Sequence, residues 1–148
     1  GDVERLTAWC EEVARRFPSD AELRRTSLER LGEAHARRGD GAGALAAFRR
    51  AADAAPGDLN MRARASGTAM ALALRPEGTE AEQRRALEEA EALLADPRFS
   101  DVFVRLKHAE GAVELLLRLG GVERARRGLV LLDQAMPART MDQASASL

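Results

Sequence analysis

Four of the five prolines cut this chain at nearly equal intervals, and that spacing restricts the fold more than any other feature. Pro18, Pro56, Pro97 and Pro137 lie 38, 41 and 40 residues apart, each closing a stretch with helical periodicity. A deeper repeat stands behind them. Gly39, Ala44, Phe48, Ala51 and Pro56 recur as Gly120, Ala125, Leu129, Leu132 and Pro137, always 81 residues later. Such a match, in one register and without a gap, describes a chain made by stacking helical units side by side.

Between the prolines the periodicity predicts seven helices. The first runs from Asp2 to Phe17, with Leu6, Trp9, Cys10, Val13 and Phe17 on one face. The second, capped by Ser19 or Asp20, carries Leu23, Ser27, Leu28, Leu31, Ala34 and His35 and ends near Arg38-Gly39. Asp40 caps the third, Ala42 to Ala54, and Asp58 opens the fourth, Leu59 to about Leu74. After the break at Arg75-Pro76-Glu77-Gly78, Thr79 with Glu82 forms a capping box for the fifth, whose packed face is Ala86, Ala90, Leu93 and Leu94. Ser100 or Asp101 begins the sixth, which bears Val102, Phe103, Leu106, Ala109, Val113, Leu116 and Leu119. Gly120-Gly121 turns into the seventh, with Ala125, Leu129, Leu132 and Met136 before Pro137. Residues 138–148 are small, polar and aperiodic, and read as a disordered tail.

The spacing within Arg25 to Asp58 resembles the tetratricopeptide repeat, whose signature is W-x2-L-G-x2-Y, then A-x3-F, then P. Leu28 stands for the tryptophan and His35 for the tyrosine, while Leu31, Gly32, Ala44, Phe48, Ala51 and Pro56 fall where the signature places them. The resemblance is strong in the first and last units and loose between them, where the loop is longer and Pro97 arrives one position early. It implies an all-α, right-handed α-solenoid of antiparallel helix pairs. The expected division is one repeat domain over residues 1–137: a half-unit 2–18, then units 19–56, 57–97 and 98–137, followed by the tail. Beginning on the second helix of a unit, with an apolar first helix and the run Val130-Leu131-Leu132 in the last, the chain reads either as an arm of a larger protein or as one whose ends pair with a second copy.

Composition agrees with closely packed helices. Aromatics make up 3% of the 148 residues and there is no Tyr, so Ala and Leu build the core and a β-sandwich is disfavoured. Lys107 is the one lysine among 23 Lys and Arg, a bias read as GC-rich coding, not as function. The single cysteine, Cys10, leaves no internal disulfide and no multi-cysteine metal site. No run is apolar for long enough to cross a bilayer, and a cytoplasmic location is expected.

Catalytic chemistry finds no foothold. His35 and His108 lack partners at ligand spacing, and His35 reads as packing in the tyrosine position. Gly39-Asp40-Gly41-Ala42-Gly43 follows no strand and precedes no G-K-[ST], so it is a turn and not a phosphate cradle. Glu11-Glu12 and Glu88-Glu89 read as solvated helix faces. The paired arginines are spread over several helices among glutamates in a chain of net charge −1, which argues against nucleic acid. No enzyme activity, cofactor or metal is therefore expected.

What remains is recognition. In the family that the chain resembles, the first helix of each unit lines a concave groove that holds peptides. By register, Glu29, Glu33 and Arg37 face that groove from the first unit, and Glu110, Glu114 and Arg118 are their counterparts 81 residues on. The fourth helix contributes Asn60 or Arg64. Carboxylate-clamp repeats carry Lys and Asn where Glu29 and Glu33 stand, so the resemblance does not extend to chaperone-tail binding. The expectation is a non-catalytic scaffold that binds a basic or mixed-charge peptide or protein partner, with self-association through its end helices as a further route. Its alternative is a regulatory or substrate-recruiting arm of a larger enzyme or signalling protein.

Overall fold

A computed structural model describes residues Gly1–Ala135. Seven α-helices follow one another: α1 (Asp2–Arg16), α2 (Ala21–Arg37), α3 (Gly41–Ala54), α4 (Leu59–Ala73), α5 (Glu80–Leu94), α6 (Val102–Leu119) and α7 (Val122–Ala135). Each packs antiparallel against the next, and α4 also touches α6. This is an all-α fold of helices packed sequentially in adjacent pairs, consistent with a helical repeat. The helix stop at Pro137 and the tail at 138–148 lie outside the described residues.

Helix starts are set by short polar side chains. Asp20, Asp40, Asp58, Thr79 and Asp101 each accept a hydrogen bond from the backbone N–H three residues on, at 2.9–3.2 Å. These bonds satisfy donors that the first helical turn leaves unpaired. Between the two open alternatives, Asp20 and not Ser19 caps α2, and Asp101 and not Ser100 caps α6.

The core divides in two, and α4 belongs to both parts. One cluster joins α1, α2 and α3 to Met61 and Ala65 of α4, with Phe48 at 4% exposure among its largest members. The other joins Ala69, Met70 and Ala73 of α4 to α5, α6 and Ala135 of α7. Alanines fill many of the crossings, which lets helix axes approach closely. At one of the tightest, a Cβ added to Gly32 on α2 would collide with the edge of the Phe48 ring on α3.

The last unit reverses this arrangement. Position 113, the counterpart of Gly32, is Val, and the small residue sits on the other helix as Gly128, where an added Cβ would meet Val113 at 3.4 Å. Leu129, expected to pack as Phe48 does, is instead 67% exposed. The reason is local. Phe48 is sealed by Arg64 of α4, whose guanidinium carbon lies 4.6 Å from the ring centroid, whereas among the described residues no helix follows α7.

Other apolar positions correct the expected helix faces. Trp9 and Phe17 of the first helix are about half exposed, and burial there falls on Val3, Cys10 and Val13. Val102 and Phe103 point to solvent, and α6 buries His108, Ala109, Ala112, Leu115 and Leu116 instead. The helix-wide apolar pattern was right in period, but a first helix with one neighbour can bury only one narrow stripe.

Candidate functional site

Arg64 is the hub of the face expected to bind a partner. From α4 its guanidinium donates to Glu29 Oε1 at 2.8 Å and to Glu33 Oε1 at 3.1 Å, both on α2, while stacking over Phe48. Arg25 extends the network, reaching Glu29 at 2.7 Å and Asp58, the cap of α4, at 3.3 Å. Arg30 adds a bond to Glu33 at 3.0 Å. Half-burial alone would raise the pKa of Glu33, but the bonds from Arg30 and Arg64 outweigh it and hold the carboxyl below its ordinary range. Of the two α4 candidates, Arg64 joins the cluster and Asn60 stands exposed at the helix start.

The expected residues therefore fall into two groups. Glu29, Glu33 and Arg64 are brought together and bound to one another. Glu110 and Glu114 lie exposed on α6, with Lys107 3.7 Å from Glu110 and no ion pair at Glu114 among the described residues. Arg37 and Arg118 are exposed in the last turns of α2 and α6. Beside the α6 carboxylates, Phe103 and Leu117 are 69% and 61% exposed. Steps of four, three, four and three residues put Phe103, Lys107, Glu110, Glu114 and Leu117 on one helical stripe. Sequence reasoning placed Phe103 in the core and passed over Leu117. The signal was present in that stripe, but it runs beside a second apolar stripe on the same helix.

The two histidines serve structure. His35 Nδ1 lies 2.8 Å from Asp40 Oδ2, tying the end of α2 to the cap of α3. Gly43 makes room for this pair, since a Cβ there would collide with both side chains. The N–H of Gly43, and then His35, hold the Asp40 carboxyl below its usual range. His108 is buried, with Nδ1 3.0 Å from the Val104 carbonyl and Nε2 3.2 Å from the Ala63 carbonyl, and its ring meets Phe99 edge-on. It thus links α6 to α4. The carboxylates read as solvated also include a structural one: Glu89 is half-buried and pairs with Arg49 across from α3.

Two cavities lie on the other side of α4, between α3 and α5. One, of about 350 Å³, is lined by Arg49, Arg62, Ser66 and Arg85 among others. Its neighbour, of about 500 Å³, is floored by Leu45, Ala69 and Leu72.

In comparison with known proteins, no protein-family model, no curated protein and no solved structure matches this chain. No helix among the described residues is long and apolar enough to cross a membrane.

Proposed function

We propose that this chain is a tetratricopeptide-like interaction module that binds a basic amphipathic peptide, or the matching surface of a partner protein, across the α6 side of the α2/α4/α6 face. The observation that carries the reading is the α6 stripe. Two carboxylates, one free of any ion pair among the described residues, stand between the exposed apolar side chains of Phe103 and Leu117. Apolar anchors beside a charged centre are the arrangement by which helices and grooves recognise amphipathic peptides. Glu29 and Glu33, bound to Arg64, serve the scaffold first and the ligand at most at their edge.

The test is a peptide array of acidic, neutral and basic amphipathic sequences, followed by titration of the retained peptides. Basic amphipathic peptides should be retained, and replacing both Glu110 and Glu114 by Lys should weaken them at least tenfold with helix content unchanged. The same charge change at Glu80, an exposed residue at the start of α5, should leave binding intact. Retention that is indifferent to the α6 changes removes this face from consideration.

A further inference from the structure

Helix α7 keeps one side bare. Gly128 and Ala135 are its buried positions, against α6 and the core behind it. On the opposite side, steps of four, three and four residues place Val122, Arg126, Leu129 and Asp133 on one stripe. Val122 and Leu129 are each 67% exposed, and Val130, 54% exposed, widens the apolar part.

The charges on this helix are not equally engaged. Arg124 donates to the carbonyls of Leu119 and Gly120, closing the turn from α6, and Arg127 is held by Glu91 of α5. Arg126 has only Glu123 of its own first turn, in a pair so exposed that water screens it. Asp133 has no ion pair among the described residues. Both stand on the bare stripe with charge left to satisfy.

The 81-residue repeat shows what a cover for this stripe needs. Leu129 is the counterpart of Phe48, over which α4 lays Arg64 while Met61 enters the core. Carried forward by 81, Asp58, Met61 and Arg64 become Arg139, Asp142 and Ser145. The cap, the apolar anchor and the cation are all replaced, so residues 138–148 lack the side chains with which α4 covers Phe48. A second copy of the chain has what is needed. Laid antiparallel across the stripe, about a two-fold axis midway between Leu129 and Val130, it sets those residues against their own counterparts. Positions 126 and 133 lie equally far from that midpoint, so Arg126 of each copy meets Asp133 of the other. A parallel pair would instead set arginine on arginine and aspartate on aspartate.

We propose that α7 is an isologous dimer interface, on which a second copy docks antiparallel through Leu129, Val130 and two reciprocal Arg126–Asp133 pairs. The face is about 21 Å long at 1.5 Å per residue and about 10 Å wide, well short of the roughly 800 Å² that each partner gives a standard interface. The dimer is accordingly weak, half-formed at about 10–100 µM chain. It uses no residue of the α6 stripe and is independent of the peptide reading.

The test is sedimentation equilibrium of the full chain from about 5 to about 500 µM, which should show a monomer–dimer equilibrium that goes no further. Arg126→Asp and Asp133→Arg, both at exposed positions, should each weaken the dimer about tenfold or more with helix content unchanged, because each sets like charges opposite one another. Mixed together, these two variants should recover a one-to-one complex, since every facing pair is then opposite in charge. Leu129→Ser should also weaken the dimer, whereas Trp9→Ser, at the exposed indole of α1, should leave it intact. A chain that stays monomeric, growth beyond the dimer, indifference to the charge changes, or variants that fail to pair when mixed would each overturn the proposal. Loss of the dimer in Trp9→Ser would hand the interface to α1. Nuclear Overhauser contacts between residues 138–148 and Leu129 in a monomer would give the face to the chain's own end, and would overturn the proposal equally.

Discussion

Phe48 shows how much one side chain carries in a core made largely of alanine. Its ring fills the space left by Gly32 on one side and meets the Arg64 guanidinium on the other. Gly32 offers no side chain to refill the vacated ring, and Ala44, Ala47 and Ala51 in the same cluster are short. Phe48→Ala is therefore expected to cost about 3–5 kcal/mol, at the upper end for aromatic truncation, measured by urea unfolding. A loss below about 1 kcal/mol would show that the ring is not the wedge described here. Arg64 should also lose order in this variant, because its stack disappears with the ring.

At the scale of the element, the caps fix where each helix begins. Asp101 is exposed and its side chain bonds only the Val104 N–H among the described residues, so its replacement isolates the cap. Asp101→Ala should lower stability by about 1 kcal/mol and fray the first turn of α6, which hydrogen exchange at Val104 and Arg105 would report. These caps were legible in the sequence because they depend only on residues a few positions apart. The same holds for the helix period and for the Gly32 and Phe48 pairing, where small and large residues sit at fixed offsets. Face assignments at Trp9, Phe103 and Leu129 were not legible. Each helix has more apolar residues than one neighbour can cover, and which stripe is covered depends on the helix that packs there. The site divides likewise. Register offered Asn60 or Arg64 beside Glu29 and Glu33 without choosing between them, and it could not show that Arg64 and the two carboxylates satisfy one another, nor that Phe103 and Leu117 flank Glu110 and Glu114. The cavities between α3 and α5 had no local signature, since their walls come from three helices.

For the whole molecule, the ion pairs repeat the architecture. Arg38 with Glu4, Arg64 with Glu29, Arg49 with Glu89, Arg62 with Asp96 and Arg127 with Glu91 are separated by 34 to 40 residues, about one unit each. Four of them fasten one unit to the next, and Arg62 with Asp96 ties the start of α4 to the end of α5 within one unit. Two carboxyls in such bridges are held low: Asp96 chiefly by Arg98 and then Arg62, and Glu33 by Arg30 and Arg64 against its burial. A carboxyl whose pKa is depressed by folding adds stability above its unfolded pKa and loses it as pH falls through the folded pKa. Thermal stability should accordingly stay level near neutrality and decline below about pH 4, where unfolded carboxylates begin to take up protons. A melting temperature unchanged down to pH 2.5 would remove the Asp96 and Glu33 pairs from the account.

Because α4 lends its first half to one core and its second half to the other, neither end of the molecule owns it. Severing the polypeptide at Glu77, in the exposed loop after α4, should give an N-terminal piece with Ala69, Met70 and Ala73 bare and a C-terminal piece missing its wall. Mixed together, the pieces should regain helicity as a one-to-one complex, seen by circular dichroism and light scattering. Two pieces that each fold alone and ignore one another would mean that the molecule is merely two beads on a string.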